Sequence, residues 1–517
     1  MLSQALPAIA QPAPPPLPYG VDGSFLNEKS RAYQECVDDL TKRGEAKAGD
    51  TAAVAADVAC ARPDWSLVHM NIPGAWELIR TSKEGWTGAE PGSGIAVGQV
   101  DTGYTLHPAV KDRYSLAESV STLKLGDSAQ DTMSRGPWYL FFKAAFRDPS
   151  HGTKTASIVI GDPTAPKDPQ NEGWVTGVSP AVKLIPVRGT KGPGLLVVGP
   201  NQAARAICYL AGGYVKPKGV GGDDICFETP NPSWGPTLPK LATPVKVMTI
   251  ARGATASEHL MRRDGLRQAL RFARDRGIIV VAASGDYEDF TVYPAESCAV
   301  ISVGANVISG APWLVQYPRF LSGIARKLHL SGSPPAREDD LGNVDDCGQF
   351  SGLKIDVSAP GAGVWRAATT EKDDHAEVRY LYGTGKGTSF STPAVAGIAA
   401  MWLQYRAKDI SKQYADRRLI PYAFSYIVRT PKGVSSPVAV CAAAKKRWHL
   451  STDCNVIARS WESPKGSLFG RGVINAVGVL TAPLPTESEI CYDLYSRHGA
   501  SDAETMGCRQ PPPVRLR

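Results

Sequence analysis

The sequence lacks any long apolar run. Its longest, residues 277–283 and 394–403, fall well short of the ~20 residues a helix needs to cross a bilayer, which excludes a helical span there and marks both as core elements. Charge of one sign is also scarce. The formal net charge is only +7 over 517 residues, and no basic stripe with interleaved aromatics is present, so nothing selects a nucleic acid as partner. Lys445-Lys446-Arg447 and the basic end at Arg515 and Arg517 read as solvated surface. None of the ten cysteines stands in a CxxC pair, which removes the usual metal clip. An even number of cysteines scattered without metal spacing favours disulfides, and with them an extracellular or periplasmic location. Sequence neighbours suggest Cys36 with Cys60, Cys208 with Cys226, Cys298 with Cys347, Cys441 with Cys454 and Cys491 with Cys508, although sequence does not fix connectivity. The first residues lack the charged start and full apolar stretch of a signal peptide, yet Ala8-Ile9-Ala10 resembles the end of one.

What is present is enough for one large core. At 43% hydrophobic, a single elaborated α/β domain with end extensions accounts for the length. Residues 1–18 read as a leader remnant and a Pro-rich linker. Residues 19–62 read as a helical extension, with helices at 27–43 and 52–61. Residues 63–483 form the main domain, interrupted by a Gly- and Pro-rich surface insertion at 212–244, and 484–517 form a Pro-flanked tail with two cysteines.

Three short motifs carry chemistry. Gly387-Thr388-Ser389-Phe390-Ser391-Thr392-Pro393 precedes an apolar, small-residue helix pattern over 394–402. A serine hydroxyl is a poor nucleophile alone; it needs a neighbouring base and donors for the oxyanion it creates, and a helix N-terminus supplies such donors. Pro393 fits a first helical turn. Upstream, Gly94-Ile95-Ala96-Val97-Gly98-Gln99-Val100 reads as a buried parallel strand ending in Asp101-Thr102-Gly103, and the carboxyl ends of such strands are where open α/β sheets build sites. Between them, Ser150-His151-Gly152-Thr153 opens a helix of small residues. Each residue alone has an ordinary reading, Asp101 and His151 as caps or core and Ser389 as a capped helix start. Together they stand in the order Asp, His, Ser, the subtilisin order of the nucleophilic triad.

With those motifs the chain resembles the subtilisin-like serine peptidases, the subtilases. Gly177-Val178-Ser179-Pro180-Ala181, Tyr293-Pro294-Ala295, Asp356-Val357-Ser358-Ala359-Pro360-Gly361 and Phe469-Gly470-Arg471-Gly472-Val473-Ile474-Asn475 resemble further family segments, as does the stretch from Pro63-Asp64-Trp65 to Ala75-Trp76; the resemblance runs in order over about residues 64–483. It implies a doubly wound, mostly parallel sheet flanked by helices. It also implies a secreted or periplasmic endopeptidase in which Ser389 attacks, His151 moves the proton and Asp101 orients His151. Residues 1–62 do not show the alternating strand pattern of the family's larger pro-segment, which leaves autoprocessing open. A protein or peptide substrate would lie extended as an added strand. Ala251-Arg252-Gly253 and Ala283-Ser284-Gly285 match the walls of the primary pocket, with Gly253 and Gly285 leaving backbone accessible and Arg252 either meeting an acidic substrate residue or lying in solvent. Val292 would make that pocket shallow, whereas Glu288 and Asp289 would favour basic residues; both readings stand. No metal or cofactor is demanded. Calcium often braces subtilases, but Asp162, Asp168, Asn171 and Glu172 lack the spacing of a calcium loop.

One position departs from the family. The strand ending Val280-Val281-Ala282-Ala283-Ser284-Gly285 should lead to the asparagine that serves the oxyanion together with the Ser389 end of the helix, and Asp286 stands there. An ionised carboxylate only accepts hydrogen bonds. Asp286 is therefore protonated, or another donor replaces it, or turnover is weak, or the residue merely caps a turn. A second function class follows: a subtilase-fold protein that keeps the peptide groove and binds with little or no turnover.

Overall fold

Runs of Val, Ile and Ala without polar alternation cannot show either face to water, and such runs form the middle of a parallel sheet. The computed structural model describes residues 62–82, 90–124, 126–131, 150–165, 173–190, 200–217, 224–234, 237–253, 264–286, 291–297, 300–313, 355–369, 378–450, 453–461, 470–498 and 508. The strands are β1 (Ala96–Asp101), β2 (Val120–Ser121), β3 (Lys183–Arg188), β4 (Tyr214–Val215), β5 (Cys226–Phe227), β6 (Val247–Ile250), β7 (Ile279–Ala283), β8 (Ile301–Asn306), β9 (Val357–Pro360), β10 (Ala362–Thr369), β11 (Tyr380–Lys386), β12 (Val434–Ser435) and β13 (Val473–Ile474). Nine form one sheet in the order β12-β13-β9-β8-β7-β6-β1-β3-β2, parallel throughout except for the antiparallel β12–β13 pair.

The order places β1 between β3 and β6, with Val97 beside Leu184 on one side and Val247 on the other. The chain winds one way from β1 toward β2 and the other way toward β13. Asp101, the last residue of β1, thus ends at the switch point where such sheets open a crevice.

The two faces of the sheet bury separate apolar clusters. Ile279 and Val281 point into the one shared with helices His151–Ile160 and Thr388–Tyr405, while Val280 and Ala282 point into the one shared with helices Pro200–Leu210 and Asp264–Arg274. The Thr388–Tyr405 helix is buried almost all round, which explains its small residues, and its Trp402 ring packs against Phe424 at 5.3 Å. Trp65 and Trp76, wholly buried on the preceding helices, donate their indole N–H groups to the Gly363 and Val178 carbonyls at 2.8 Å each. These two rings are thereby buried with their polar atoms satisfied.

Several expectations shift. The helix that carries Ser389 begins at Thr388, ahead of the apolar pattern at 394, so Pro393 falls inside it, in the second turn. Within the expected insertion, β4 and β5 form a small antiparallel pair tied to the Pro200–Leu210 helix by Cys208–Cys226. In the expected tail, helix Glu487–His498 buries Ile490 and Leu494 in the core, and Arg429 donates to both oxygens of Asp493. Cys441–Cys454 and Cys491–Cys508 are also bonded, so three of the five suggested pairs are present. The other two pairs, the leader and the helices expected at 27–43 and 52–61 lie outside the described residues. No helix among the described residues is long and apolar enough to cross a membrane.

Candidate active site

The parallel ladder delivers Asp101 to its position, and burial decides its partners. Its carboxylate is 1% exposed, so its oxygens need donors. His151 Nδ1 lies 2.7 Å from Oδ1, the Thr102 backbone N–H donates to the same oxygen at 2.7 Å, and the Thr155 hydroxyl lies 3.0 Å from Oδ2. Gln99, two residues earlier on β1, donates through Nε2 to Thr155 Oγ1 and to the Gly152 carbonyl, both at 2.7 Å. Gln99 thus occupies a lone pair of the Thr155 oxygen and leaves its hydrogen for Asp101. Because a carboxylate only accepts, the 2.7 Å contact puts a proton on Nδ1, and the neutral form of the ring then has its lone pair on Nε2.

His151 opens its helix directly after Ser150, whose φ of 61° turns the chain sharply into it. That helix packs close to the β1 end because Gly152 has no side chain: a Cβ there would lie 2.0 Å from the Gly103 carbonyl oxygen. Two other buried histidines are not rivals for the role of base. Burial pushes the rings of His69 and His107 down to about 4, and both His107 nitrogens face backbone groups, Leu381 O at 2.9 Å and Ala109 N–H at 3.1 Å.

Ser389 is the second residue of its helix and is half-buried, reachable from solvent. Its hydroxyl donates to the Ala251 carbonyl at 2.9 Å and not to His151. The starts of the two helices nonetheless meet: the ring of Phe390, next in sequence to Ser389, has its centroid 6.1 Å from that of His151.

Asp286 reaches the same helix end. Its Oδ1 accepts the Thr388 backbone N–H at 2.8 Å and the Thr388 hydroxyl at 2.9 Å. Loss of hydration pushes its carboxyl above the ordinary value, opposed by the two Thr388 bonds, by Lys386 and, when its ring carries a second proton, by His151. The Gly387 backbone has a φ of 135°, and a Cβ there would lie 3.3 Å from Asp286 Oδ2.

The expected pocket residues come together in an unexpected way. Val292, 2% exposed, donates its N–H to the Ser284 carbonyl at 2.8 Å and sets its side chain against Gly253. A Cβ at Gly253 would lie 1.9 Å from Val292 Cγ2, so the missing side chain makes room for Val292 and does not open the backbone to a ligand. Arg252 is 8% exposed, which rules out a solvated arginine. Gly285 has a φ of 93°, turning the chain between Ser284 and Asp286. Glu288 and Asp289 lie outside the described residues, as do Asp168, Asn171 and Glu172. Asp162 pairs with Arg113 at 2.9 Å and accepts from the Thr164 N–H and hydroxyl.

Sequence reasoning missed Gln99, Thr155 and Thr388 as members of this network. A glutamine inside an otherwise apolar strand was the available signal for the first; the hydroxyls gave none.

The sequence profile of the Peptidase_S8 group, the subtilase family, matches residues 92–423. Among solved structures, a protease from Pseudoalteromonas arctica aligns at 18% identity over 80% of this chain and 93% of its own, with a TM-score of 0.46, a likeness too loose to argue from. The family match begins ahead of β1 and ends beyond the helix that carries Ser389, taking in β1 to β11 and the strand and helix ends just described, and the chain accordingly belongs to the subtilase family, whose members are serine peptidases.

Proposed function

We propose that the protein is an extracytoplasmic endopeptidase that cleaves proteins or peptides through an acyl-enzyme on Ser389. The observation that carries this reading is the buried 2.7 Å contact between His151 Nδ1 and Asp101, which keeps a proton on Nδ1 so that the neutral ring presents its lone pair at Nε2. In the reaction, the Ser389 hydroxyl turns from the Ala251 carbonyl to His151, which takes its proton as Oγ bonds to the scissile carbonyl carbon. Asp101 stabilises the imidazolium that forms, without taking its proton. His151 then protonates the leaving amine, the carbon–nitrogen bond breaks, and water resolves the ester by the same path in reverse. Three disulfides among the described residues support an oxidising compartment.

The substrate residue on the acyl side of the scissile bond meets the walls formed by Ala251, Arg252 and Gly253 and by Ala283, Ser284 and Gly285. Val292, wedged between these two segments, fills the depth between them and favours Gly, Ala or Ser there. Labelling with a fluorophosphonate tests the reading: the wild type is expected to label covalently, and Ser389→Ala to stay unlabelled with a nearly unchanged thermal transition. Failure of the wild type to label at any pH would leave a peptide-binding protein on a subtilase fold.

A further inference from the structure

We propose that Asp286 is a catalytic residue acting as a carboxylic acid, donating a hydrogen bond from Oδ2 to the oxyanion that forms when Ser389 attacks. The proposal rests on the acyl-enzyme reading above. Its geometric basis is the unequal use of the two carboxyl oxygens. Oδ1 takes both donors of Thr388, at 2.8 and 2.9 Å, whereas Oδ2 accepts no hydrogen bond among the described residues. Oδ2 lies on the side of Gly387, where the absence of a Cβ keeps the space before the nucleophile helix open. An acid whose carbonyl oxygen is doubly clamped has one place left for its proton, and that place adjoins the helix end where the oxyanion must form.

The chemistry balances without another reagent. As Oγ bonds to the carbonyl carbon, the carbonyl π electrons move onto oxygen and the hydroxyl proton moves to His151. Asp286 donates a hydrogen bond to the new oxyanion and keeps its proton. When the carbon–nitrogen bond breaks, the oxygen recovers its double bond and His151 gives its proton to the amine. An ionised Asp286 would instead oppose the oxyanion with a second negative charge. Among the described residues, the titratable groups facing Asp286 are His151, from the start of its helix, and Lys386, from the end of β11; Lys386 favours the anion, as does His151 only while it is protonated, and burial opposes them. Buried carboxylic acids elsewhere stay neutral and serve an oxyanion in this way.

The consequence is a window of pH. His151 must be neutral to accept a proton and Asp286 must be protonated to donate, so activity should rise as His151 loses its second proton and decline as Asp286 ionises. Asp286→Asn keeps an oxygen for Thr388 and supplies an amide donor at every pH. The test is the fluorophosphonate labelling rate and kcat/KM on a chromogenic peptide, both followed against pH for wild type and Asp286→Asn. The expected result is a variant-to-wild-type rate ratio that grows as pH rises, with an alkaline decline present only in the wild type. At the alkaline end the gap should approach ~10²–10³, the magnitude established in subtilisin for one oxyanion donor. A variant that is slower at every pH, or one with the wild-type profile, overturns the proposal while the labelled wild type upholds the nucleophile. Labelling of the variant alone would show Asp286 ionised throughout and also overturn it. If neither protein labels, the proposal and the peptidase reading fall together.

Discussion

Shortening Val292 should change what the protein cuts more than whether it cuts. Val292→Ala removes two methyl groups from a side chain that is 2% exposed and seated on Gly253. At about 0.8 kcal/mol for each buried carbon, the folded state should lose about 1.6 kcal/mol, a cost a domain of this size absorbs with a small fall in Tm. The vacated space lies between the two segments that wall the primary pocket, and each added methylene a pocket accepts is worth roughly 1–3 kcal/mol of discrimination, or ~10–200-fold. Two peptides differing only in Ala or Leu before the scissile bond should therefore change their kcat/KM ratio toward Leu by that factor, with the Ala peptide little affected. Gly253→Ala serves as the control from the opposite wall. Its new methyl would lie 1.9 Å from Val292 Cγ2, so it should destabilise the protein alone and be relieved when Val292→Gly is combined with it. If Val292→Ala lowers Tm and leaves the peptide ratio unchanged, Val292 is core packing only and the shallow-pocket argument fails.

Two further outcomes are expected. Burial raises the Asp286 pKa in the folded state above its unfolded value, so its contribution to stability is complete below the unfolded pKa of ~4 and is lost as pH rises through the folded one. The Tm of Asp286→Asn relative to wild type, measured by calorimetry, should accordingly climb as pH rises across that interval; a flat difference would mean the carboxyl is not held high. Alkylation of the unreduced, denatured protein followed by intact mass should add few or no groups to its ten cysteines, and wholesale alkylation would remove the case for an oxidising compartment.

The motifs legible in the sequence were those whose signal is local. Asp101 closes a run of buried residues, His151 opens a helix of small ones, and Ser389 sits between a glycine and an apolar helix, so each announces its place from its own neighbours. Thr155 and Gln99 matter because a strand and a helix about fifty residues apart press together, and no local pattern states which hydroxyl will face which carboxylate. The same holds for the start of the nucleophile helix. Thr388 and Ser389 are indifferent helix formers, and the Oδ1 atom of Asp286, far away in sequence, holds the first turn where propensity would place it later. The burial of Arg252 and the seating of Val292 on Gly253 likewise depend on contacts between segments.

The position of β1 has a consequence for how the protein is made. A ribosome that has released the chain as far as β3 has supplied one neighbour of β1, yet the partner for its other side, β6, begins at Val247, about 150 residues after Val97. Until that partner emerges, the strand carrying Asp101 keeps a line of unpaired amides and carbonyls along an apolar ribbon, the surface most prone to pair with another copy. Substitutions that delay the docking of β6 should therefore reduce the yield of soluble protein during synthesis while leaving the molecules that do finish folding with ordinary stability and an ordinary site.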